Sequence, residues 1–324
     1  MGEIEIAIII NSFNRLALLQ ECLHALCSWL SESQFHGKCV AVIYDAGSKD
    51  GSVEWLESQT GKLGISVDFI VSLPGDDNSF AAGLNTGVQF AVRKYPTLKY
   101  LLFYETDNQI LSPEPIAQAI LQLNQRKGLA ACGFTVRKHD RRSAGVGQPF
   151  PTLLNFTVGK KIVHLLQWEA IPYKWQTNGN GAEFSLVDVV YTSPLLVRVD
   201  AWEASGGLDA TLFPFSDCDV DWARRLYKLG WSMGVIRTDD VIHDNLDALS
   251  AWSKSRAIQN HRGRLRYFKR HRPLAVIMVW PFLLMLRHFI ELVSARLFVK
   301  DSLRRTQLSG QFLSLLKSSF NSYE

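Results

Sequence analysis

Short apolar runs alternate with amphipathic segments along the first half of the chain. The runs are rich in branched and aromatic residues and stop at turn formers, whereas the segments between them repeat apolar residues at helical spacing. This pattern predicts strands at 4–10, 39–44, 65–72, 100–104 and 129–136, and helices at 16–30, 52–59, 78–95 and 113–127. Such alternation predicts an α/β fold with a mostly parallel central sheet flanked by helices.

The second half is less regular. Apolar runs at 186–199 and 230–243 predict strands, with a helix between them that begins near Asp219. The stretch 137–186 contains basic, glycine-bearing and polar segments that are typical of loops, and no role is assigned to its residues.

Polar residues lie where several predicted strands end. Asn11 follows the first strand, Asp45 the second, and Glu105 and Asp107 follow the fourth. Ligands bind at the carboxyl ends of strands in sheets of this type, so these positions predict a binding site. Two acids this close repel each other, and hard cations such as Mn2+ or Mg2+ take carboxylate ligands. The pair predicts a divalent-cation site; the alternative is a surface turn with two solvated acids.

Charge is unevenly distributed along the 324 residues, whose formal net charge is +4. No acidic residue lies between Ala248 and Ile290. The same region contains a cluster of basic residues: Lys254, Arg256, Arg262, Arg264, Arg266, Lys269, Arg270 and Arg272. Such a cluster suits an anionic partner, and the alternative is a solvated basic helix face.

An apolar segment follows this basic cluster. Residues 274–286 are uncharged, but thirteen residues are fewer than the ~20 that span a bilayer. A basic and apolar region at 254–299 therefore predicts an interfacial helix on a membrane surface. The alternative is a helix packed on the preceding domain or on a partner subunit.

Cysteine usage and the N-terminal pattern bear on location. The five cysteines are odd in number and lack paired or zinc-ligand spacing, so we expect free thiols in a reducing compartment. The first residues lack a basic region and a cleavage-like site, which favours a strand over a signal peptide. We expect a cytoplasmic protein, peripheral on the cytoplasmic face of the membrane if its tail binds lipid.

Several motifs resemble, in their order, those of the inverting family-two glycosyltransferases across roughly residues 4–245: IIINSFNR, VIYDAGSKDGS, AAGLNTGVQFA, LLFYETD, LLVRVDAWEASGGLD and DCDVDWARRLYKLGW. The resemblance implies a Rossmann-like GT-A fold over 1–245, with a nucleotide-sugar-binding half (1–136) and an acceptor-binding half (137–245). Residues 246–324 then form a basic and amphipathic C-terminal helical region. The DVDW segment is also similar to rhamnosyltransferases of that family.

The implied activity is inverting transfer of a hexosyl or deoxyhexosyl group from a nucleotide diphosphate sugar to a glycan or lipid-linked glycan, in cell-surface polysaccharide synthesis. No nucleic-acid partner is implied. The implied base is Asp219, with Asp221 and Asp217 beside it and Asp217 as the alternative base. The implied metal ligands are Asp107, Glu105 and His243. The implied donor contacts are Asn11, Asn14, Arg15, Asp45, Gly47, Ser48, Asn85, Glu105 and Thr106.

Each motif also has a structural interpretation. Asp45, Asp50 and Ser52 can cap a helix, and the glycines around Asn85 can serve close helix–strand packing. Glu105 and Cys218 stand where the resembled family usually has Asp and Glu, which favours a rival hypothesis of a non-catalytic nucleotide-sugar-binding or assembly protein. A sugar nucleotidyltransferase and a nicotinamide dehydrogenase are disfavoured because their glycine-rich loops are missing after the first strand.

Overall fold

The computed structural model describes residues 3–59, 61–138, 147–168, 173–177, 181–243 and 254–319. Parts of the loop-like stretches, 139–146 and 178–180, lie outside the described residues. The helices are α1 (Leu16–Leu30), α2 (Ser52–Gln59), α3 (Phe80–Lys94), α4 (Glu114–Gln125), α5 (Leu153–Val158), α6 (Lys160–Leu165), α7 (Val199–Ser205), α8 (Cys218–Lys228), α9 (Lys254–His271), α10 (Leu274–Phe298) and α11 (Ser302–Ser318).

The strands begin and end close to the predicted positions. They are β1 (Ile6–Ser12), β2 (Cys39–Asp45), β3 (Ser66–Val71), β4 (Tyr100–Glu105), β5 (Asn108–Ile110), β6 (Leu129–Phe134), β7 (Gly147–Gln148), β8 (Gln176–Thr177), β9 (Glu183–Val187), β10 (Val189–Val190), β11 (Leu195–Arg198), β12 (Ser232–Ile236) and β13 (Val241–His243). All residues of β2 and β6 are buried, as expected of strands covered on both faces.

The main sheet has nine strands in the order β3-β2-β1-β4-β11-β6-β12-β9-β8. Strands β3, β2, β1 and β4 are parallel neighbours, and β6 is parallel to β12. Strand β11 lies antiparallel between β4 and β6, which gives these two strands the same direction. The expected α/β architecture with a mostly parallel sheet is confirmed.

Helix α3 packs closely on β1 and β2 because of its glycines. A Cβ on Gly83 would lie 2.7 Å from Asn11 Nδ2 and 2.8 Å from the Tyr44 ring, and one on Gly87 would lie 3.0 Å from Ile9. Both distances at Gly83 are too short for any larger residue without a shift of its neighbours. The small residues of this motif therefore serve helix–strand packing.

The chain divides into two compact units. The first comprises Met1–Pro149, Pro172–Ala210 and Asp219–Asn245, and the second comprises Phe150–Ile171, Thr211–Cys218 and Leu246–Glu324. This division differs from the expected boundary at 245/246, since 150–171 and 211–218 join the C-terminal helices.

Aromatic packing in the second unit explains the difference. The Phe156 ring of α5 lies 5.3 Å from His261, 5.9 Å from Phe268 and 5.2 Å from Trp280. Short helices such as α5 are stable only when packed against a larger apolar surface, which α9 and α10 supply. Within the described residues, one stretch, Met278–Phe298, is apolar and long enough to cross a membrane by length and composition, with a mean hydropathy of 1.4.

Candidate active site

The polar residues predicted at the strand ends lie along one edge of the main sheet. Asn11 of β1 pairs with Glu105 of β4, and Ser12 pairs with Asp45 of β2. Parallel strands end at the same edge, so the register brings these residues side by side. This edge is the one at which open α/β sheets bind ligands.

Glu105, Asp107 and His243 form an acidic cluster at this edge. Their ligand atoms lie within 4.8 Å of one another, and His243 Nε2 lies 3.5 Å from Asp107 Oδ1. His243 reaches this position because β13 pairs antiparallel with β5 and places His243 opposite Asn108. Asp107 is only 6% exposed. The three predicted metal ligands are therefore brought together.

Arg15, at the N-terminus of α1, borders this acidic cluster. Its Nη1 lies 3.6 Å from Asp107 Oδ2 and donates to Thr106 Oγ1 at 3.4 Å. The guanidinium therefore balances part of the negative charge around Asp107. The Arg15 guanidinium thus lies beside the acidic cluster, in a position to bind an anionic ligand as well.

The environment of Glu105 favours its neutral form. Burial raises the pKa of the Glu105 carboxyl, and the negative charge of Asp107 raises it further, against the opposing effects of His243 and Arg15. A cation bound at the cluster would favour the charged form of this carboxyl instead. Since Glu105 reaches the cluster, its extra methylene relative to Asp does not exclude it as a ligand.

Two residues that the sequence pattern did not mark support Glu105. The Asn108 Oδ1 accepts a hydrogen bond from the Glu105 backbone N–H at 2.9 Å, and Asn108 Nδ2 donates to Ser193 Oγ at 3.0 Å. Ser193 also hydrogen bonds to the Glu105 side chain. Asn108 directly follows the ETD motif, whereas Ser193 is 85 residues away and carries no local pattern that would identify it.

The donor set fits a hard divalent cation. Two carboxylates and one imidazole supply mainly oxygen ligands, which suits Mn2+ or Mg2+. A buried acid pair with an adjacent imidazole is also costly unless a cation compensates it.

Asp45 organises its own turn. It is fully buried, and its carboxylate accepts hydrogen bonds from Gly47 N at 3.0 Å, Ser48 N at 2.7 Å and Ser48 Oγ at 2.7 Å. Gly47 has φ +86°, a conformation that favours glycine. The predicted donor contacts Asp45, Gly47 and Ser48 thus form one hydrogen-bonded turn, and their contact with a donor stays a prediction.

This turn is joined to the loop after β1. The Asn14 backbone N–H donates to Ser48 Oγ, and Lys49 N donates to Asn14 Oδ1, both at 2.8 Å. Asp50 accepts from Leu16 N at 2.8 Å and from Ser52 Oγ at 2.6 Å. Asp50 therefore caps the first turn of α1. Asn14 and Ser48, two of the predicted donor contacts, are thus held together by hydrogen bonds between the two loops.

Asn85 is engaged with the protein backbone. Its Nδ2 donates to Leu208 O at 2.8 Å, and its Oδ1 accepts from Leu208 N at 3.0 Å. Both ends of the amide thus hold the segment after α7 against α3. This arrangement gives Asn85 a structural function, and its expected place in the nucleotide pocket stays a prediction.

The acids of α8 have different surroundings. Asp219 is half-buried in the first turn, where its Oδ1 accepts from Val220 N at 2.9 Å. Asp221 is fully buried and pairs with Arg225 Nε at 2.8 Å, while Arg225 also donates to Ser205 O and to Gly207 O. Asp221 therefore anchors α8 to the end of α7.

The direction of α8 places Asp219 at the ligand-binding edge. Residues 229–231 form a short connection between α8 and β12, so the helix runs antiparallel to the strand that follows it. Since β12 is parallel to β6, the N-terminus of α8 lies at the edge where the parallel strands end.

Asp217 belongs to the second unit. It has φ +59°, and its two carboxylate oxygens accept from Arg264 Nε at 2.8 Å and Arg264 Nη2 at 2.9 Å. This bidentate pair ties the loop before α8 to α9, and the expected role of Asp217 beside the base stays a prediction.

Comparisons with known proteins bear on the family and the fold of the chain. The family model described as glycosyl transferase family 2 matches residues 7–180. No curated protein sequence matches the chain. The fold is similar to that of a mannosyltransferase from Pyrobaculum calidifontis solved with GDP-Man and Mn2+ (TM-score 0.55, 13% identity, 100% of this chain and 89% of that chain covered). It is also similar to S. aureus TarS 1-349 solved with UDP-GlcNAc (TM-score 0.52, 14% identity, 97% and 82% covered).

Proposed function

Since the chain belongs to glycosyl transferase family 2, we propose that it is an inverting enzyme that uses a nucleotide diphosphate sugar. It transfers a hexosyl or deoxyhexosyl group to a hydroxyl of a glycan or lipid-linked glycan. We further propose that this reaction serves cell-surface polysaccharide synthesis. The donor class is supported by the structural relatives solved with GDP-Man and UDP-GlcNAc.

The observation that carries the proposal is the acidic cluster at the edge of the sheet. Asp107, Glu105 and His243 would hold Mn2+ or Mg2+. When bound, the cation supplies charge neutralisation for the diphosphate leaving group. A turn with a purely structural role would not need His243, which comes from β13, far along the chain from Glu105 and Asp107. Arg15 lies close enough to this cluster to pair with diphosphate oxygens.

In this proposal, two neighbouring loops form the donor-binding surface. One lies between β1 and α1, and the other lies between β2 and α2. Asn14, Ser48 and Asp45 are fixed by their mutual hydrogen bonds, so the surface is ordered before any donor binds. Preorganisation of this kind lowers the entropic cost of binding.

Asp219 is the proposed general base. Its carboxylate takes the proton of the acceptor hydroxyl as that oxygen attacks the anomeric carbon. The bond between this carbon and the donor diphosphate breaks on the opposite face, and the diphosphate leaves with the bonding electrons. A half-buried carboxylate at a helix start, at the same edge as the acidic cluster, suits this role. General-base catalysis typically contributes ~10²–10⁴-fold.

A donor screen tests the proposal. UDP-, dTDP- and GDP-sugars are tested by thermal shift with and without Mn2+, because a ligand at a hundredfold excess over its Kd stabilises a protein by about 2.7 kcal/mol. The stabilising donor is then incubated with candidate acceptors, and the anomeric configuration of the product is read by NMR. We expect metal-dependent stabilisation and inversion at the anomeric carbon. Retention of configuration would contradict the mechanism, and binding without any turnover would favour the non-catalytic rival.

A further inference from the structure

Helix α10 has an exposed apolar stripe. Apart from Leu274 and Phe298 at the two helix ends, its exposed large apolar side chains lie at nine positions: Met278, Val279, Phe282, Leu283, Leu286, Phe289, Ile290, Val293 and Leu297. At 3.6 residues per turn these positions fall within an arc of about 140° and extend over about 30 Å of helix. The exposed fractions reach 67% at Met278 and 70% at Leu297. A continuous apolar surface of this length is unusual for a monomer in water.

The opposite face of α10 is already used by its own unit. Trp280, Leu284, His288, Leu292 and Ala295 are buried. These residues recur every three or four positions and therefore form one side of the helix. The buried face thus accounts for the packing of α10 within its unit, and the stripe lies on the other side of the helix.

Charge along the chain points to the partner of this stripe. Between Lys254 and Lys300 the one acidic residue is Glu291, and its carboxylate is bonded to Arg287 at 3.1 Å and to His288 at 2.8 Å. Exposed basic residues lie before the stripe, near its end and beyond it: Arg270, Arg272, Arg296, Lys300, Arg304 and Arg305. The stripe is therefore flanked by positive charge at both ends.

We propose that this stripe lies flat in the interface of a bilayer that contains anionic lipids. The apolar side chains enter the boundary of the acyl chains, and the flanking Arg and Lys side chains pair with headgroup phosphates. Membrane binding of this kind goes beyond the proposed glycosyl transfer and does not depend on it.

Two other occupants fit the stripe less well. A second copy of the chain would place basic ends against basic ends whether the helices ran parallel or antiparallel, and like charges at an interface are costly. A helix that crossed the bilayer alone would be surrounded by lipid on all sides. The buried face of α10 instead contacts protein and includes the Glu291 and His288 pair.

A second exposed apolar segment lies in the same unit. Leu165, Leu166 and Trp168 follow one another at the end of α6 and are 79%, 47% and 46% exposed. Tryptophan is enriched where proteins meet the headgroup region of a bilayer. The sequence pattern did not identify this segment, which provides a second apolar contact with the same kind of partner.

The test uses the full chain and vesicles of phosphatidylcholine, alone or mixed with phosphatidylglycerol. We expect sedimentation with the anionic vesicles that weakens at high salt, and weaker sedimentation with the neutral ones. Phe282→Glu and Leu286→Glu should each lower the partition coefficient by about tenfold or more, because each replaces a large apolar group with a charge. Both side chains are more than half exposed, and circular dichroism verifies that the two variants fold.

Leu229→Glu is the matched control. Leu229 is 55% exposed and lies in the other unit, after α8, so this variant should bind vesicles like the wild type. Equal binding by the control and the two stripe variants, or no binding of the wild type to either vesicle, would overturn the proposal. Light scattering provides a further test. A wild-type dimer that Phe282→Glu dissociates would show that a second copy covers the stripe.

Discussion

Two groups of acids, one at the end of β4 and one at the start of α8, have the same spacing in sequence but different surroundings in the structure. Glu105 and Asp107 are two residues apart, as are Asp217 and Asp219 or Asp219 and Asp221. At the end of β4 the two acids meet a third ligand in one cluster. At the start of α8 the acids diverge: Asp217 pairs with Arg264, Asp221 with Arg225, and Asp219 stays half-buried at the helix start.

Backbone geometry explains this difference. The short turn between β4 and β5 keeps Glu105 and Asp107 in one cluster, whereas positions two apart on a helix, such as Asp219 and Asp221, point about 160° from each other. A pair of acids at a strand end therefore concentrates charge, and a pair on a helix distributes it. Only in the first case do the two carboxylates lie together in one potential ligand site.

Removal of the central carboxylate should have the largest effect on ligand binding. Asp107→Asn should weaken metal-dependent binding of nucleoside diphosphate by about 100-fold or more, since it removes a charged ligand from a buried site. Isothermal titration with Mn2+ measures this change. Asp200→Asn is the control, because Asp200 is exposed and follows β11, whose end lies beside the start of β4. Equal affinities for the two variants would show that the acidic cluster does not bind the metal.

The base is tested by Asp219→Asn. The amide cannot accept the hydroxyl proton, so kcat should fall by ~10²–10⁴-fold while donor affinity is unchanged. Steady-state kinetics and donor titration separate the two effects. Near-normal turnover would exclude Asp219 as the base and leave Asp217 as the alternative.

Asp221 should affect stability more than catalysis. Asp221→Ala leaves the Arg225 guanidinium without its buried counter-charge, which typically costs about 3–5 kcal/mol in the free energy of unfolding. Chemical denaturation measures this loss. The double variant Asp221→Ala with Arg225→Ala is the control. It should be less destabilised than the sum of the two single variants, because the remaining charge is then removed as well.

The long apolar strands and the order of motifs made most of this fold predictable from sequence. Strands β1, β2 and β4 are uninterrupted apolar runs, so their identity and their polar ends follow from pattern alone. The site was only partly predictable. His243 reaches Asp107 through pairing of β5 with β13, two strands of three residues that are too short to show a period. Ser193 and the Asp217–Arg264 pair depend on tertiary contacts that no local spacing reveals.

The link between Asp217 and α9 provides a finer test of the helix start. Arg264→Gln should lower kcat by about tenfold with the donor KM unchanged, because the loop that leads into Asp219 loses its bidentate partner and shifts the base. Arg264→Lys keeps the charge but not the fork geometry, so an intermediate kcat is expected. Equal kcat for wild type and Arg264→Gln would show that the base is positioned without α9.

The smallest effect is expected at the loop that joins α1 to the turn after β2. Asp50→Ala removes the acceptor for Leu16 N and for Ser52, and loss of such a helix cap typically costs about 1 kcal/mol. Thermal unfolding of this variant should show a lower Tm, with Lys49→Ala, an exposed neighbour, as the control. Donor affinity should fall only slightly, because Asn14 and Ser48 keep their own bonds. A donor affinity lost entirely in Asp50→Ala would mean that the two loops hold each other in place through this one carboxylate.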